Sequence, residues 1–316
     1  MERVELGRSG IKVSRIGLGM WQAGGKNWGK DVNDRDCIAA IRRAVEVGVN
    51  LVDTAEGYGE GHSEEVVGKA IKQVGRDNVV VATKVKGYHM RERDVERACR
   101  GSLKRLGVKD IDVYQVHWPD PFDQVPFKEG FRALERLWKK GLIRAIAVSN
   151  FAVRDLEDAR SHLSRADIVS DQLRYNLLQR EIEEAVLPYC RRERISVLAW
   201  SPLAQGVLAD TYRVGRVPKD PVRKQNDLFS PKNMREAGKL LQVLRGVAKA
   251  HDATVAQVSL NRLARDPRVV PIPGAKRPAQ AEENAGAASF TLTAAEARAI
   301  DVASKRVRLD TFYLAP

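Results

Sequence analysis

Cysteine is scarce: the 316 residues hold only Cys37, Cys99 and Cys190. Their odd number, wide separation and lack of any CxxC pair exclude a disulfide framework and argue against structural zinc, so they read as reduced, buried thiols. Long apolar runs are also missing. No window approaches the ~18 unbroken apolar residues that a membrane-spanning helix needs, and the opening MERVELGRSG alternates charge with single apolar positions instead of building a secretory core. A transmembrane protein is excluded, and the expected location is the cytoplasm. Acidic charge is in deficit, with 41 Asp and Glu against 54 Lys and Arg and a net charge of +13. The excess favours anionic small molecules. It does not point to nucleic acid, because the basic residues are interleaved with acids in segments such as RERDVERACRGSLKRLG, and no finger spacing, RNP run or basic arm is present.

Hydrophobic residues make up 43%, enough for a sizeable core. Eight short, β-branched runs suit strands buried on both faces: 16–20, 50–54, 78–84, 111–117, 143–150, 168–172, 195–201 and 269–274. Amphipathic helical stretches separate them. Ile38, Ile41 and Val45 recur at helical spacing before Gly48, and Phe131, Leu134 and Trp138 do so before Gly141. The polar residues at the strand ends, Gly19, Asp53, Lys84, His117, Ser149, Gln172 and Trp200, follow one another at intervals of 23 to 34 residues, the length of one strand and one returning helix. This rhythm predicts an α/β fold, a (β/α)8 TIM barrel occupying residues 1–316 as a single domain.

Three departures from the rhythm are expected. The prelude RVELGRSGIKVSR reads as a β-hairpin about Ser9 and Gly10 that caps the barrel bottom. The stretch from about 205 to 231, after the seventh barrel strand, is too long and too rich in Gly, Pro and charge for an ordinary loop and reads as a lid. A terminal helix, capped by Thr293 with Glu296 three residues on, precedes the tail TFYLAP.

In a parallel barrel, reacting groups gather at the C-terminal ends of the strands. Asp53, Lys84 and His117 end three successive runs, and Tyr58 follows in the Gly-flanked loop AEGYGEGH. Singly, each has a structural explanation; together they form a chemistry. A phenol is protonated at neutral pH and can donate to an oxygen whose basicity rises as a carbonyl is reduced. A lysine ammonium beside it would lower the phenol's pKa, a carboxylate would hold that lysine charged, and a neutral imidazole would orient the same carbonyl oxygen. No metal is required.

These residues, in NLVDTAEGYG, VVVATKV and YQVHWPD, resemble the Asp, Tyr, Lys and His tetrad of the aldo-keto reductases, and the resemblance runs from Gly17 to about Asn284. It implies catalytic roles for Asp53, Tyr58, Lys84 and His117 and a bound nicotinamide cofactor, NADPH preferred and NADH possible. It also implies cofactor contacts from Gly19, Met20, Trp21 and Asp53, from Ser149, Asn150 and Gln172 around the carboxamide, and from Trp200 against the nicotinamide ring. Ser201, Leu203 and Gly206 match the loop over the pyrophosphate. Gly274, Lys276, Arg277, Gln280, Glu283 and Asn284 match the adenosine segment, with Lys276 and Arg277 suited to a 2'-phosphate. Gln280 stands where many members carry arginine, which weakens the expectation of strict NADPH preference.

For substrate, the resemblance implies Trp21, Tyr58, His117 and Trp118, with Tyr88 and Trp28 as further candidates from neighbouring loops. Apolar aromatics there suit aldehydes, ketones or sugar faces. Because double-bond reductases of the family carry glutamate at the position of His117, carbonyl reduction is expected. The segment YNLLQREIEEAVLPYCRRERISVLAWSPLAQGVL is similar to a branch that holds bacterial general-stress and sugar-type oxidoreductases and potassium-channel β subunits. A second reading is therefore an NADP(H)-binding regulatory subunit with slow turnover. Met1 opening almost directly into the hairpin favours the free-standing enzyme.

Overall fold

The computed structural model describes residues 1–25, 28–29, 32–120, 125–216 and 218–310. All eight expected runs form strands of one parallel sheet. They are β3 (Leu18–Gly19), β4 (Leu51–Asp53), β5 (Val80–Val85), β6 (Ile111–Val116), β7 (Ile143–Ser149), β8 (Ile168–Arg174), β9 (Ser196–Trp200) and β10 (Val269–Pro271), paired in that sequential order. The first and last strands close the barrel through the Gly17 amide on the Pro271 carbonyl at 2.9 Å and the Gly19 amide on the Pro273 carbonyl at 3.0 Å. A parallel barrel without edges buries both faces of every strand, which is why the strands are continuous apolar runs.

Ahead of the barrel, β1 (Arg3–Glu5) and β2 (Lys12–Ser14) form the hairpin, with Glu5 opposite Lys12. Gly10 turns it with a positive φ of 73°, a conformation that favours glycine. Leu6, Ile11 and Val13 plug the barrel bottom, packing with Leu51, Ala82, Val113, Ala147, Leu198 and Val270 from inside the strands. The plug sits close: a Cβ on Gly7 would lie 2.3 Å from the Val169 carbonyl oxygen.

The helices are α1 (Asp34–Glu46), α2 (His62–Val74), α3 (Glu92–Leu106), α4 (Phe127–Lys139), α5 (Val153–Ser161), α6 (Val186–Glu193), α7 (Pro221–Lys224), α8 (Pro231–Ala250), α9 (Val255–Ala264), α10 (Pro278–Ala285) and α11 (Ala294–Arg306). The expected helix faces turn inward: Ile41, Phe131 and Leu134 are fully buried, and Ile38, Val45 and Trp138 pack partly against the same core. Thr293 and Glu296 form the expected capping box of α11. The stretch 205–231 is more ordered than a bare lid. It carries 3-10 turns at Ala204–Ala209 and Asp227–Phe229 with α7 between them, and α8 then lies against α9 and α11 outside the barrel. The tail at 311–316 lies outside the described residues.

Side-chain alternation explains how an apolar barrel floor gives way to a polar mouth. Leu51 and Asp53, Ala82 and Lys84, Val113 and Gln115, Ala147 and Ser149, and Leu198 and Trp200 are i, i+2 pairs, apolar at the floor and polar at the C-terminal rim. β8 breaks this parity. Its pairing with β7 shifts from Ile146 opposite Ile168 to Val148 opposite Asp171, one extra residue in β8. The bulge turns Gln172 into the mouth and Asp171 away from it, although Val169 lies inside below.

Among the described residues no helix is long and apolar enough to cross a membrane. The three cysteines are unpaired and buried, and burial pushes the Cys37 thiol up to about 11 and the Cys99 thiol up to about 12.

Candidate active site

The strand ends open into a cavity of about 690 Å³, a volume typical of small-molecule sites. Lys84 lies beneath it, fully buried at the end of β5. Its ammonium donates to Asp53 Oδ1 at 2.6 Å, to the Thr54 carbonyl at 2.8 Å and to the Tyr58 hydroxyl at 3.2 Å. An ammonium has three protons and no acceptor. All three are engaged.

Asp53 Oδ2 accepts from two amide groups, Gln115 Nε2 at 2.9 Å and Gln172 Nε2 at 2.8 Å. A buried ion pair is favourable only when its remaining lone pairs are satisfied, and these two amides supply that. They also fix the glutamine orientation, since only an NH2 can face a carboxylate. Gln172 is therefore left presenting its amide oxygen as an acceptor. Burial alone would lower the Lys84 pKa, but Asp53 and Tyr58 outweigh it and hold the pKa above the ordinary lysine value.

Tyr58 stands above the lysine, partly open to the cavity that it lines. Its pKa moves opposite to the expectation from charge alone. Burial raises it and outweighs the lowering by the Lys84 ammonium, so the phenol stays protonated at neutral pH. His117 packs edge-on to the Tyr58 ring, with centroids 5.4 Å apart. Burial, then the charges of Lys84 and Lys86, push its pKa down to about 3. The imidazole is neutral and retains one N–H donor.

Asn150 forms the next wall in a left-handed conformation with φ of 62°. Its Nδ2 donates to the His117 carbonyl at 3.1 Å and to Ser149 Oγ at 2.9 Å, while its Oδ1 accepts from Trp200 Nε1 at 3.0 Å. The Ser149 hydroxyl itself donates to the Gln172 carbonyl at 2.8 Å. Asn150, Ser149 and Gln172 thus have their donors engaged within the protein, so what they can still offer at the cavity wall they line is acceptor capacity. That set suits an incoming amide NH2. Trp200 is anchored at its Nε1 edge, and the Arg174 guanidinium lies 5.9 Å from its ring centroid.

Most residues expected from sequence come together here. Gly19, Trp21, Asp53, Tyr58, His117, Trp118, Ser149, Asn150, Gln172, Trp200, Ser201, Leu203, Gly206, Gly274, Lys276, Gln280, Glu283 and Asn284 all line the cavity. Two do not. Met20 is fully buried in the core, where its amide donates to the Asp53 carbonyl at 2.8 Å, so it braces the site from behind. Arg277 is the N-terminal flanking residue of α10, exposed and outside the cavity. It joins Asn33 and Arg35 in holding the Asp36 carboxyl below its usual range, with Asn33 acting most strongly. Of the aromatic candidates, Trp28 lines the cavity edge-on to Trp21 at 4.8 Å, whereas Tyr88 is exposed outside it.

Several lining or supporting residues escaped the sequence reading. Gln115 carried a usable signal, because it shares the inward parity of His117 in an otherwise apolar strand. Arg223, Tyr212 and Gln205 carried none. They come from the long stretch after β9, where Arg223 reaches over Trp28 at 4.9 Å and donates to the Gln205 carbonyl at 2.7 Å. Among the described residues no cluster of His, Cys, Asp or Glu is suited to a metal.

The aldo/keto reductase family model matches residues 15–305. Aldo-keto reductase YhdN of Bacillus subtilis is 35% identical over 314 residues, covering 95% of this chain and 93% of that protein. The NADH-specific methylglyoxal reductase of Escherichia coli is 33% identical over 319 residues, covering 94% and 96%. Among solved structures, a glycerol dehydrogenase from Gluconobacter oxydans superposes with a TM-score of 0.86 at 30% identity over 99% of both chains. An aldo-keto reductase from Klebsiella pneumoniae in complex with NADPH does so with a TM-score of 0.79 at 31% identity, covering 98% of this chain and 99% of that one. The chain belongs to the aldo/keto reductase family and is an NAD(P)H-dependent oxidoreductase.

Proposed function

We propose that the protein reduces the carbonyl of aldehydes, ketones or sugars to the alcohol, reversibly, with Tyr58 as the general acid. The observation that carries this reading is the Tyr58 hydroxyl at the cavity wall, which accepts from the Lys84 ammonium and so has its own proton free to donate to a ligand. A nicotinamide held at this site would supply the hydride. Tyr58 delivers the proton to the developing alkoxide, and Lys84, held by Asp53, stabilises the phenolate that remains. Neutral His117 donates to the carbonyl oxygen and sets its direction.

The residues present fit a dinucleotide. Gln22 Oε1 is buried at the cavity wall with no partner among the described residues. Gly274 lies against this side chain: a Cβ there would sit 1.8 Å from the Gln22 amide nitrogen, so glycine is what lets Gln22 pack into that wall. We assign the ring to Trp200 and the carboxamide to Asn150 and Gln172. Ser201, Leu203 and Gly206 would border the pyrophosphate, and Lys276, Gln280, Glu283 and Asn284 the adenosine end.

Trp21, Trp28 and Trp118 leave an apolar, aromatic approach to Tyr58, which supports small carbonyl compounds as substrates. The names of two relatives, methylglyoxal reductases of Escherichia coli, make a small dicarbonyl the first compound to try. The test follows NADPH absorbance with methylglyoxal, glycerol-derived aldehydes, aromatic aldehydes, ketones and aldoses. Turnover near the ordinary enzyme rate of about ten per second on one class supports the reading. Turnover below about one per minute on every compound, with tight cofactor binding, would favour the regulatory reading instead.

A further inference from the structure

A second cleft, of about 720 Å³, lies at the opposite end of the barrel from the catalytic mouth. Three segments meet to form it: the last turn of α6 with Arg191, the end of α9 and the turn into β10 with Arg262, Arg265 and Arg268, and the first turns of α11 with Arg298. Arg268 immediately precedes β10, so these groups sit at the N-terminal end of that strand. The tetrad sits at the C-terminal ends.

Only two carboxylates line the cleft, and both are already engaged. Asp266 accepts from Arg191 Nε at 2.8 Å and from the Arg268 amide at 2.9 Å. Asp301 is gripped by Arg262 and also accepts from Arg180 at 3.0 Å. Arg265 donates to the Leu292 carbonyl, and the Arg268 guanidinium reaches only the Gly7 carbonyl, at 3.5 Å. Arg298 makes no hydrogen bond or ion pair among the described residues. Three guanidiniums therefore face one concavity without a carboxylate of their own, and Arg262 Nε is buried there with no acceptor.

A solvated helix face looks different. On α3 the signs alternate and pair locally, Arg97 with Asp94 and Arg100 with Glu96. In the cleft that alternation fails: five arginines and two aspartates line it, with Ala294 and Ala297 of α11 between them. Like charges closer than the ~8 Å screening length at physiological salt repel, and an anion in the cleft would relieve that repulsion.

We infer that the cleft binds a small polyanion carrying several linked phosphate groups. The planar fork of a guanidinium matches phosphate oxygens two at a time, and three uncompensated forks match a short phosphate chain better than a single carboxylate. The three elements gather these guanidiniums on one open, shallow face. A nucleic-acid duplex would need a continuous basic stripe. Inorganic oligophosphate and the triphosphate of a nucleotide share this chemistry.

The test is calorimetric titration of NADPH-saturated protein, so that the cofactor's own phosphate contacts are occupied. Tripolyphosphate, orthophosphate and ATP are each titrated at about 150 mM salt. The expected result is one tripolyphosphate per chain, with affinity falling at least about tenfold in Arg268→Ser with Arg298→Ser. Lys109→Ser with Lys128→Ser removes the same charge from exposed positions elsewhere and should change affinity less than about twofold. Arg298→Ser alone, at an exposed side chain, gives the same reading if the pair unfolds. ATP binding equally well assigns the site to a phosphate chain alone, and ATP binding more tightly assigns it to a nucleotide. No saturable binding to the native protein, or equal weakening by the two charge-matched pairs, would overturn the inference.

Discussion

The Lys84 ammonium donates to the Tyr58 hydroxyl at 3.2 Å, and since an ammonium cannot accept, the phenol proton must point elsewhere. The same ammonium also holds Asp53 and the Thr54 carbonyl, so one buried cation links β4, β5 and the Tyr58 loop. The group that aims the acid thus also supports the fold around it, and the two roles separate experimentally.

Lys84→Met should leave Asp53 as an unpaired buried carboxylate and cost about 3–5 kcal/mol of stability. Adding Asp53→Asn should recover much of that loss, because the Gln115 and Gln172 amides can still donate to the new carbonyl. Urea unfolding of the two variants checks this. A double variant no more stable than Lys84→Met would mean that the ion pair is not what Lys84 supplies.

Tyr58→Phe removes one hydroxyl and leaves the Lys84 ion pair in place. We expect kcat for carbonyl reduction to fall by about 10²–10⁴, with the cofactor Kd changed less than about twofold. Stopped-flow reduction and fluorescence titration measure the two separately. Unchanged turnover would take the acid role away from Tyr58.

The pH dependence follows from the opposite displacements of Tyr58 and His117. With the phenol pKa above its ordinary value, the rate of reduction should be flat through neutral pH and fall only in the alkaline range. Oxidation of the alcohol, which needs the phenolate, should rise there. His117 titrates at about 3 when folded and near 6.5 when unfolded. The unfolded chain therefore binds the extra proton between those values, and stability is complete above about 6.5 and is lost as the pH falls toward 3. Urea midpoints across this range should fall less steeply in His117→Asn than in the native protein.

The barrel was legible because each strand, buried on both faces, had to be a short β-branched run, and the hairpin because Ser9 and Gly10 mark its turn. The site was legible wherever strict alternation carried a polar residue to a strand end, as at Asp53, Lys84 and Ser149. At β8 it is the family resemblance, not alternation, that identifies Gln172, because tertiary structure changes the rule there. The extra residue in β8 reverses its parity, so alternation from Val169 would have aimed Asp171 into the mouth instead of Gln172. Asp171 instead lies fully buried outside the mouth, and burial raises its pKa well above the ordinary carboxyl value. The direction of the Tyr58 shift was missed for a related reason: spacing shows which charge stands nearby, but not how much solvent the phenol loses. Arg223 and Tyr212 were invisible because nothing in a stretch rich in Pro, Gly and charge indicates which residue folds back over the cavity.

Lys276 lines the cavity, at the end proposed for the adenosine, and Arg277 does not, so the two cations should differ in their effect on cofactor binding. Lys276→Ala should weaken NADPH binding by about tenfold through loss of a charge-assisted contact to the 2'-phosphate, while NADH changes less than about twofold. Arg277→Ala should move both cofactors by less than that, because Arg277 lies outside the cavity and its charge acts on Asp36. Quenching of tryptophan fluorescence, with Trp200 and Trp21 in the cavity wall, reports both affinities on the same samples. Equal weakening of NADPH and NADH in Lys276→Ala would contradict the phosphate assignment. A larger NADPH effect in Arg277→Ala would mean that the α10 segment shifts inward when the cofactor binds.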